Sequence, residues 1–215
     1  MEQRAYPLID PGCWAERLSA TDYAGGPALF LDRDGVVVEE SHYLGRAEDV
    51  VMIPGVAEAI AEVNRLHIAV VLVTNQAGIA RGYYDWSGFA AVQTEISRHL
   101  AASGARLDAV FACAYHGEGH EPYRISGHAW RKPGAGMLVA AADMLGIDLR
   151  ASCLIGDTVT DLQAGRRAGL GRVTLVTTGH GALHLKEHGA ALATWPEATV
   201  RADAAVAIGE WLAGR

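Results

Sequence analysis

The feature that most constrains the fold of this chain is a rhythm. Short, continuously apolar runs alternate with longer segments of helical period. The runs are Ala28–Asp32 (ALFLD), Ile68–Thr74 (IAVVLVT), Ala109–Ala114 (AVFACA), Ser152–Asp157 (SCLIGD) and Arg172–Val176 (RVTLV). A strand with one wet face alternates apolar and polar residues; these runs do not, as expected of strands covered on both faces. Between and after them lie Gly55–Leu66, Trp86–Ser103, Pro133–Leu145, Thr160–Ala168 and Arg201–Ala213, which read as helices. Strand alternating with helix predicts an α/β fold: a doubly wound, Rossmann-like parallel sheet with right-handed crossovers and helices on both faces. Two stretches break the rhythm, Val36–Pro54 and the Gly- and His-rich Tyr115–Arg131. Long irregular inserts in a compact domain are usually functional. The expected organisation is an N-terminal extension over 1–25 and one domain over 26–215, with a flap at about 36–54 and a Cys/His loop at about 113–131.

A length of 215 residues suits one domain. Lys plus Arg number 18 against 25 Asp plus Glu, a net charge of −7. That balance disfavours nucleic acid or an anionic membrane as partner but leaves room for a small cationic pocket. The three cysteines are widely spaced, which suggests a reducing compartment and no disulfide framework. No run approaches the ~18 to 20 apolar residues of a membrane span. The opening MEQRAYPLIDPGCW lacks the apolar core of a secretory signal. The expectation is a cytoplasmic protein acting on a small molecule.

In a doubly wound sheet, ligands bind beyond the carboxyl ends of the strands. The first predicted strand ends in Asp32-Arg33-Asp34-Gly35 and the second in Thr74-Asn75-Gln76; the fourth ends in Gly156-Asp157, with Asp161 one helical turn later. Any one Asp at a strand-to-helix turn can be an N-cap. As a set on one edge, these acids repel one another unless a cation is present, and hard carboxylate oxygens suit Mg²⁺. Arg131-Lys132-Pro133 opens a predicted helix, with Pro fitted to the first turn. Lys132 there can balance an anionic nucleophile and a phosphoryl oxygen. Thr74 and the amides after it offer donors to a phosphate.

These motifs resemble the haloacid dehalogenase (HAD) superfamily of phosphotransferases. FLDRDGVVVEE is similar to its Asp-x-Asp-Gly motif, VTNQ to the Thr-bearing motif, RKP to the Lys-bearing motif and IGDTVTD to the acidic motif, in the same order over Leu29–Val176. Within the superfamily, LDRDG, TNQAGIARG, a Cys/His loop leading into RKP, GMLVAAA and GDTVTDLQAG look like the branch of D-glycero-D-manno-heptose 1,7-bisphosphate 7-phosphatases. Histidinol phosphatases are its near relatives.

The resemblance implies Asp32 as nucleophile, forming an aspartyl-phosphate, and Asp34 as general acid, then base. It implies Mg²⁺ held by Asp32, the Asp34 backbone carbonyl and Asp157. Thr74 and Lys132 would bind phosphoryl oxygens, with Lys132 also positioning Asp32. Asn75 and Arg131 would contact substrate, and Asp161 would order the site. Close members often carry Lys directly after the Asp of the acidic motif, where this chain has Thr158. The product would feed nucleotide-activated heptose for surface polysaccharide. A histidinol or other small sugar-phosphate phosphatase is the alternative reading. A silent sugar-phosphate-binding module is disfavoured, since nucleophile, acid and metal ligands are all present.

Neither the stretch from Asp34 to Thr74 nor that from Thr74 to Lys132 has room for a separate cap domain. The site should be open, its walls shaped by the flap Glu39–Arg46 and the loop Cys113–His128. Capless members are commonly monomers. In the resembled branch that loop holds structural zinc through Cys-x-His and Cys-x-Cys. Here Cys113, His116, His120 and His128 form a candidate Zn²⁺ set. The competing reading is a loop without metal, packed by Tyr115, Tyr123 and Trp130. His180, His184 and His188 recur at helical spacing, with no acid or cysteine in an obvious arrangement, and read as a solvated stripe.

Overall fold

The computed structural model describes residues 6–215. Its strands are β1 (Leu8–Asp10), β2 (Cys13–Arg17), β3 (Ala28–Leu31), β4 (Ala69–Asn75), β5 (Ala109–Cys113), β6 (Cys153–Gly156), β7 (Arg172–Val176) and β8 (Ala198–Arg201). Its helices are α1 (Val56–Arg65), α2 (Ala77–Ala80), α3 (Trp86–Ala102), α4 (Gly136–Leu145), α5 (Val159–Ala168), α6 (Gly181–Leu192) and α7 (Ala204–Ala213). The strands form one sheet in the order β1-β2-β5-β4-β3-β6-β7-β8. From β5 to β8 every pairing is parallel. The expected doubly wound sheet is present, and no separate cap domain interrupts it among the described residues.

The central strands are apolar throughout because both faces are covered. Leu29, Leu31, Val70 and Leu72 face a core built with α1, α3 and α7. Phe30, Val71, Val73 and Phe111 face a second core built with α4, α5 and α6. Each such side chain contributes about 1.5–3 kcal/mol on leaving water. Helix starts are set by polar caps. The Asp85 carboxylate accepts from the amides of Ser87 and Gly88 at the head of α3, and Asp203 accepts from Val206 at the head of α7.

Three expectations change. Part of the N-terminal segment set apart as an extension lies outside the described residues (1–5). Its remainder is not detached: β2 runs antiparallel to β5 in register from Cys13↔Cys113 to Arg17↔Ala109, and β1 folds back on β2. The helix expected from Arg201 begins at Ala204, because Ala198–Arg201 extends the sheet beside β7. The stretch after β7 carries a further helix, α6, whose weak apolar face concealed it.

β3 is the pivot of the winding. The chain moves outward from β3 through β4 to β5, then returns to lay β6 on the other side of β3. The carboxyl ends of β3 and β6 therefore border a crevice, the place where such sheets hold ligands. No helix among the described residues is long and apolar enough to cross a membrane.

Candidate active site

Asp32 follows the last residue of β3 and Asp157 the last residue of β6, so each projects into the crevice. Asp161 joins them from the first turn of α5. One carboxylate oxygen from each of the three lies within 4.8 Å of the others, and all three side chains are buried. Burial, then repulsion from neighbouring acids, pushes Asp32 up to about 6 against the pull of Lys132. Burial and the charges of Asp32 and Asp161 push Asp157 up to about 8. An acid cluster this crowded calls for a cation.

Asp34 turns away from this trio, paired with Arg33 (Nε–Oδ2 3.1 Å), a side chain only 1% exposed. Gly35 has φ +76, and a Cβ there would sit 2.5 Å from Oδ2 of Asp157. Glycine alone permits both the turn and the approach.

The donors converge from β4 and from the residues before α4. Lys132 Nζ lies 2.8 Å from Asp32 Oδ1, 2.5 Å from Asp161 Oδ1 and 3.0 Å from the Val73 carbonyl. Burial works against its charge, but Asp161 and Asp32 outweigh burial and hold its pKa above the ordinary lysine range. Asn75 grips the same residue by its backbone. Its Oδ1 accepts from the Lys132 amide (3.0 Å), and its Nδ2 donates to the Lys132 carbonyl (3.1 Å). Thr74 is buried with its hydroxyl at the crevice floor. Arg131 lines the same cavity of about 300 Å³ and donates to the Tyr115 carbonyl. The structure thus brings together Asp32, Asp34, Thr74, Asn75, Arg131, Lys132, Asp157 and Asp161.

Comparisons with known proteins agree with this geometry. A family profile described as HAD-hydrolase-like matches residues 129–204. A D-glycero-beta-D-manno-heptose-1,7-bisphosphate 7-phosphatase from Mesorhizobium japonicum is 46% identical over 172 residues, 80% of this chain and 79% of the relative. The chain belongs to the HAD-like hydrolases, in their heptose-bisphosphate phosphatase branch. A D,D-heptose 1,7-bisphosphate phosphatase from B. bronchiseptica, crystallised with magnesium and phosphate, superposes with a TM-score of 0.77. It is 34% identical, over 88% of this chain and 99% of the other. A HAD-like protein from Mesorhizobium loti superposes with a TM-score of 0.85 at 40% identity, over 97% and 95% of the two chains.

This HAD-like chain departs from expectation around the Cys/His loop. Cys113 and His128 do meet, Sγ to Nδ1 at 3.9 Å. Their companion is Cys13 of β2, and the donor atoms of these three lie within 4.8 Å of one another. His116 and His120 are not in the group. His116 instead accepts from the Glu118 amide through Nδ1, and the backbone of His120 is tied to the Ala80 carbonyl. The four-residue set is therefore corrected to Cys13, Cys113 and His128. Only the cross-strand register of β2 and β5 brings Cys13 there.

The site in this HAD-like chain also holds residues to which the motifs gave no role. Gln76, Tyr84, Glu40 and His180 all line the cavity. The His180 side chain is exposed, as expected of a solvated stripe, while its backbone amide donates to Oδ2 of Asp157 (2.8 Å). His184 and His188 stack on each other at 5.7 Å. Thr158 is the N-cap of α5, in a capping box with Asp161. Glu40 and His180 come from irregular segments, where no periodic signal announces which side chains turn inward.

Proposed function

We propose that this chain is a Mg²⁺-dependent phosphomonoesterase that removes the 7-phosphate from D-glycero-D-manno-heptose 1,7-bisphosphate through an aspartyl-phosphate on Asp32. The observation that carries the reading is the meeting of Asp32, Asp157 and Asp161 with Lys132 in one crevice. The names of the relatives supply the sugar.

Asp32 is the nucleophile: it lines the cavity at the end of β3, and Lys132 holds its Oδ1 at 2.8 Å. Its attack on phosphorus forms an aspartyl-phosphate and releases the sugar oxygen, which Asp34 protonates; Asp34 then takes a proton from the water that hydrolyses the acyl phosphate. Thr74 and Lys132 donate to the equatorial phosphoryl oxygens. Arg131 presents its guanidinium to the substrate from the cavity wall. The residues fit Mg²⁺: three buried carboxylates place hard oxygen donors within 4.8 Å of one another, and burial followed by mutual repulsion raises Asp32 and Asp157. Asp32, the Asp34 carbonyl and Asp157 would hold the ion. When bound, it screens the repulsion between carboxylate and phosphate.

The zinc expected of the loop belongs to this reading in its corrected form. Two thiols and one imidazole are donors suited to Zn²⁺, and would supply three of its four usual positions. The thiols being free and buried supports a reducing, cytoplasmic setting. A monomer is the expected working form, as is common among capless members.

The test is turnover of a phosphate panel, with Mg²⁺ added and withheld: both anomers of the heptose bisphosphate, histidinol phosphate and other sugar phosphates. Preference for a heptose bisphosphate, lost without Mg²⁺, is expected. A marked preference for histidinol phosphate would overturn the sugar, and metal-independent turnover would overturn the mechanism. Metal analysis of wild type and Cys13→Ser tests the zinc: near-stoichiometric zinc that falls in the variant is expected, and none in the wild type removes it.

A further inference from the structure

Tyr84 reaches the catalytic cavity from the turn before α3, yet the mechanism above does not use it. Its ring is seated by two glycines. A Cβ on Gly45 or Gly78 would run into the Tyr84 ring, whereas one on Gly88 would meet the Gly45 carbonyl first. Gly45 comes from the flap and Gly78 from α2. Two separate segments thus leave space for one ring, and that fixes where its hydroxyl lies.

The hydroxyl donates to Oε1 of Gln76 at 2.5 Å, and Gln76 is itself 1% exposed. An amide has an accepting end and a donating end, so fixing the oxygen fixes the nitrogen. Nε2 of Gln76 donates to Oγ1 of Thr74 at 2.7 Å and approaches Oδ2 of Asp34 at 3.4 Å. Thr74, already accepting, is free to turn its own hydrogen into the cavity. The reverse arrangement is poor at every link. A flipped Gln76 would set its oxygen against the Asp34 carboxylate and draw the Thr74 hydrogen away from the cavity. The Tyr84 hydrogen would then lose its acceptor on Gln76, and Arg33 beside it, with donors only, supplies none.

We propose that Tyr84 is a positioning residue: through Gln76 it sets the direction of a hydrogen-bond chain that aims the Thr74 hydroxyl at the transferring phosphoryl group and steadies Asp34. The proposal rests on the phosphatase reading but not on which sugar is the substrate.

The test compares wild type, Tyr84→Phe, Gln76→Glu and Gln76→Met in the full-length, Mg²⁺-loaded protein, with p-nitrophenyl phosphate and a sugar phosphate. Tyr84→Phe keeps the ring and its seat. Its kcat should fall roughly ten-fold with KM within about two-fold, and the loss should be larger for the sugar phosphate, whose poorer leaving group needs the proton from Asp34. Gln76→Glu leaves the ring untouched and still accepts from Tyr84, but its second oxygen competes for the Thr74 hydrogen; it should lose kcat comparably. Adding Tyr84→Phe to Gln76→Met should cost nothing further, as in a single chain of bonds. An unchanged kcat in Tyr84→Phe and Gln76→Glu, or losses that multiply in the double variant, would overturn the proposal. A wild type inactive on every phosphate ester would overturn the phosphatase reading itself.

Discussion

Lys132 answers two acids at once, and its own backbone is gripped by Asn75. The two interactions make separate predictions. Asp32→Asn removes the nucleophile and one of the charges crowding the crevice, while Asp161 keeps Lys132 paired at 2.5 Å. Turnover should fall by on the order of 10⁴-fold or more, with melting within a few degrees of wild type. Substantial residual phosphatase activity would remove the covalent route. Asn75 is expected from the motifs to touch substrate, but its amide is engaged at both ends by the Lys132 backbone. Asn75→Ala should therefore lower stability by about 1–3 kcal/mol and reduce kcat through a misplaced ammonium. A rise in KM alone, with unchanged urea midpoint, would return Asn75 to the substrate.

At the scale of elements, α5 and the β1–β2 hairpin carry the predictions. The Thr158 hydroxyl caps α5 through Asp161, so Thr158→Ala should cost about 1 kcal/mol in chemical denaturation and leave kcat nearly unchanged. A hundred-fold loss of kcat would show that Thr158 acts on the phosphate instead. Trp14 of β2 is buried against Trp86 and Phe89, ring centroids 5.7 and 5.1 Å away. Trp14→Ala should destabilise the whole domain by about 3–5 kcal/mol. Unfolding of the rest at the wild-type midpoint would show the hairpin to be dispensable. The strands β3 to β7 were legible because unbroken apolar runs mark burial on both faces. β1, β2 and β8 were not: they are short edge or near-edge strands of mixed composition, such as CWAER and ATVR. Their place depends on pairing with partners distant in sequence. Asp32 and Asp157 could be found because strand ends are predictable positions, and Asp161 and Lys132 because each lies at or just before a helix start inside a recognisable motif. Cys13 and Tyr84 could not, because register and a glycine-lined seat exist only after folding.

Across the whole molecule, the acid crevice couples stability to pH and to metal. In the metal-free protein the folded pKa values of Asp157 (about 8), Glu40 (about 7) and Asp32 (about 6) lie above those of an unfolded chain. Burial is the first cause in each case. Between pH 4 and 8 these three groups therefore bind more protons in the native state than in the unfolded one, so the stability they contribute falls as pH rises through that window, opposed in part by His116 and His184, which burial holds below the ordinary histidine value. Mg²⁺ competes with those protons. At 100 times its dissociation constant a ligand confined to the native state adds about 2.7 kcal/mol, which in a domain this size raises Tm by roughly 5–10 °C. At pH 5, where protons already relieve the repulsion, the Mg²⁺ shift should shrink; at pH 8 it should be full. Scanning calorimetry of chelator-treated protein from pH 5 to 8, with and without Mg²⁺, reads both trends. A metal-free Tm that climbs with pH, or a Mg²⁺ shift that is the same at both ends, would mean that these carboxylates are not the ones the cation meets.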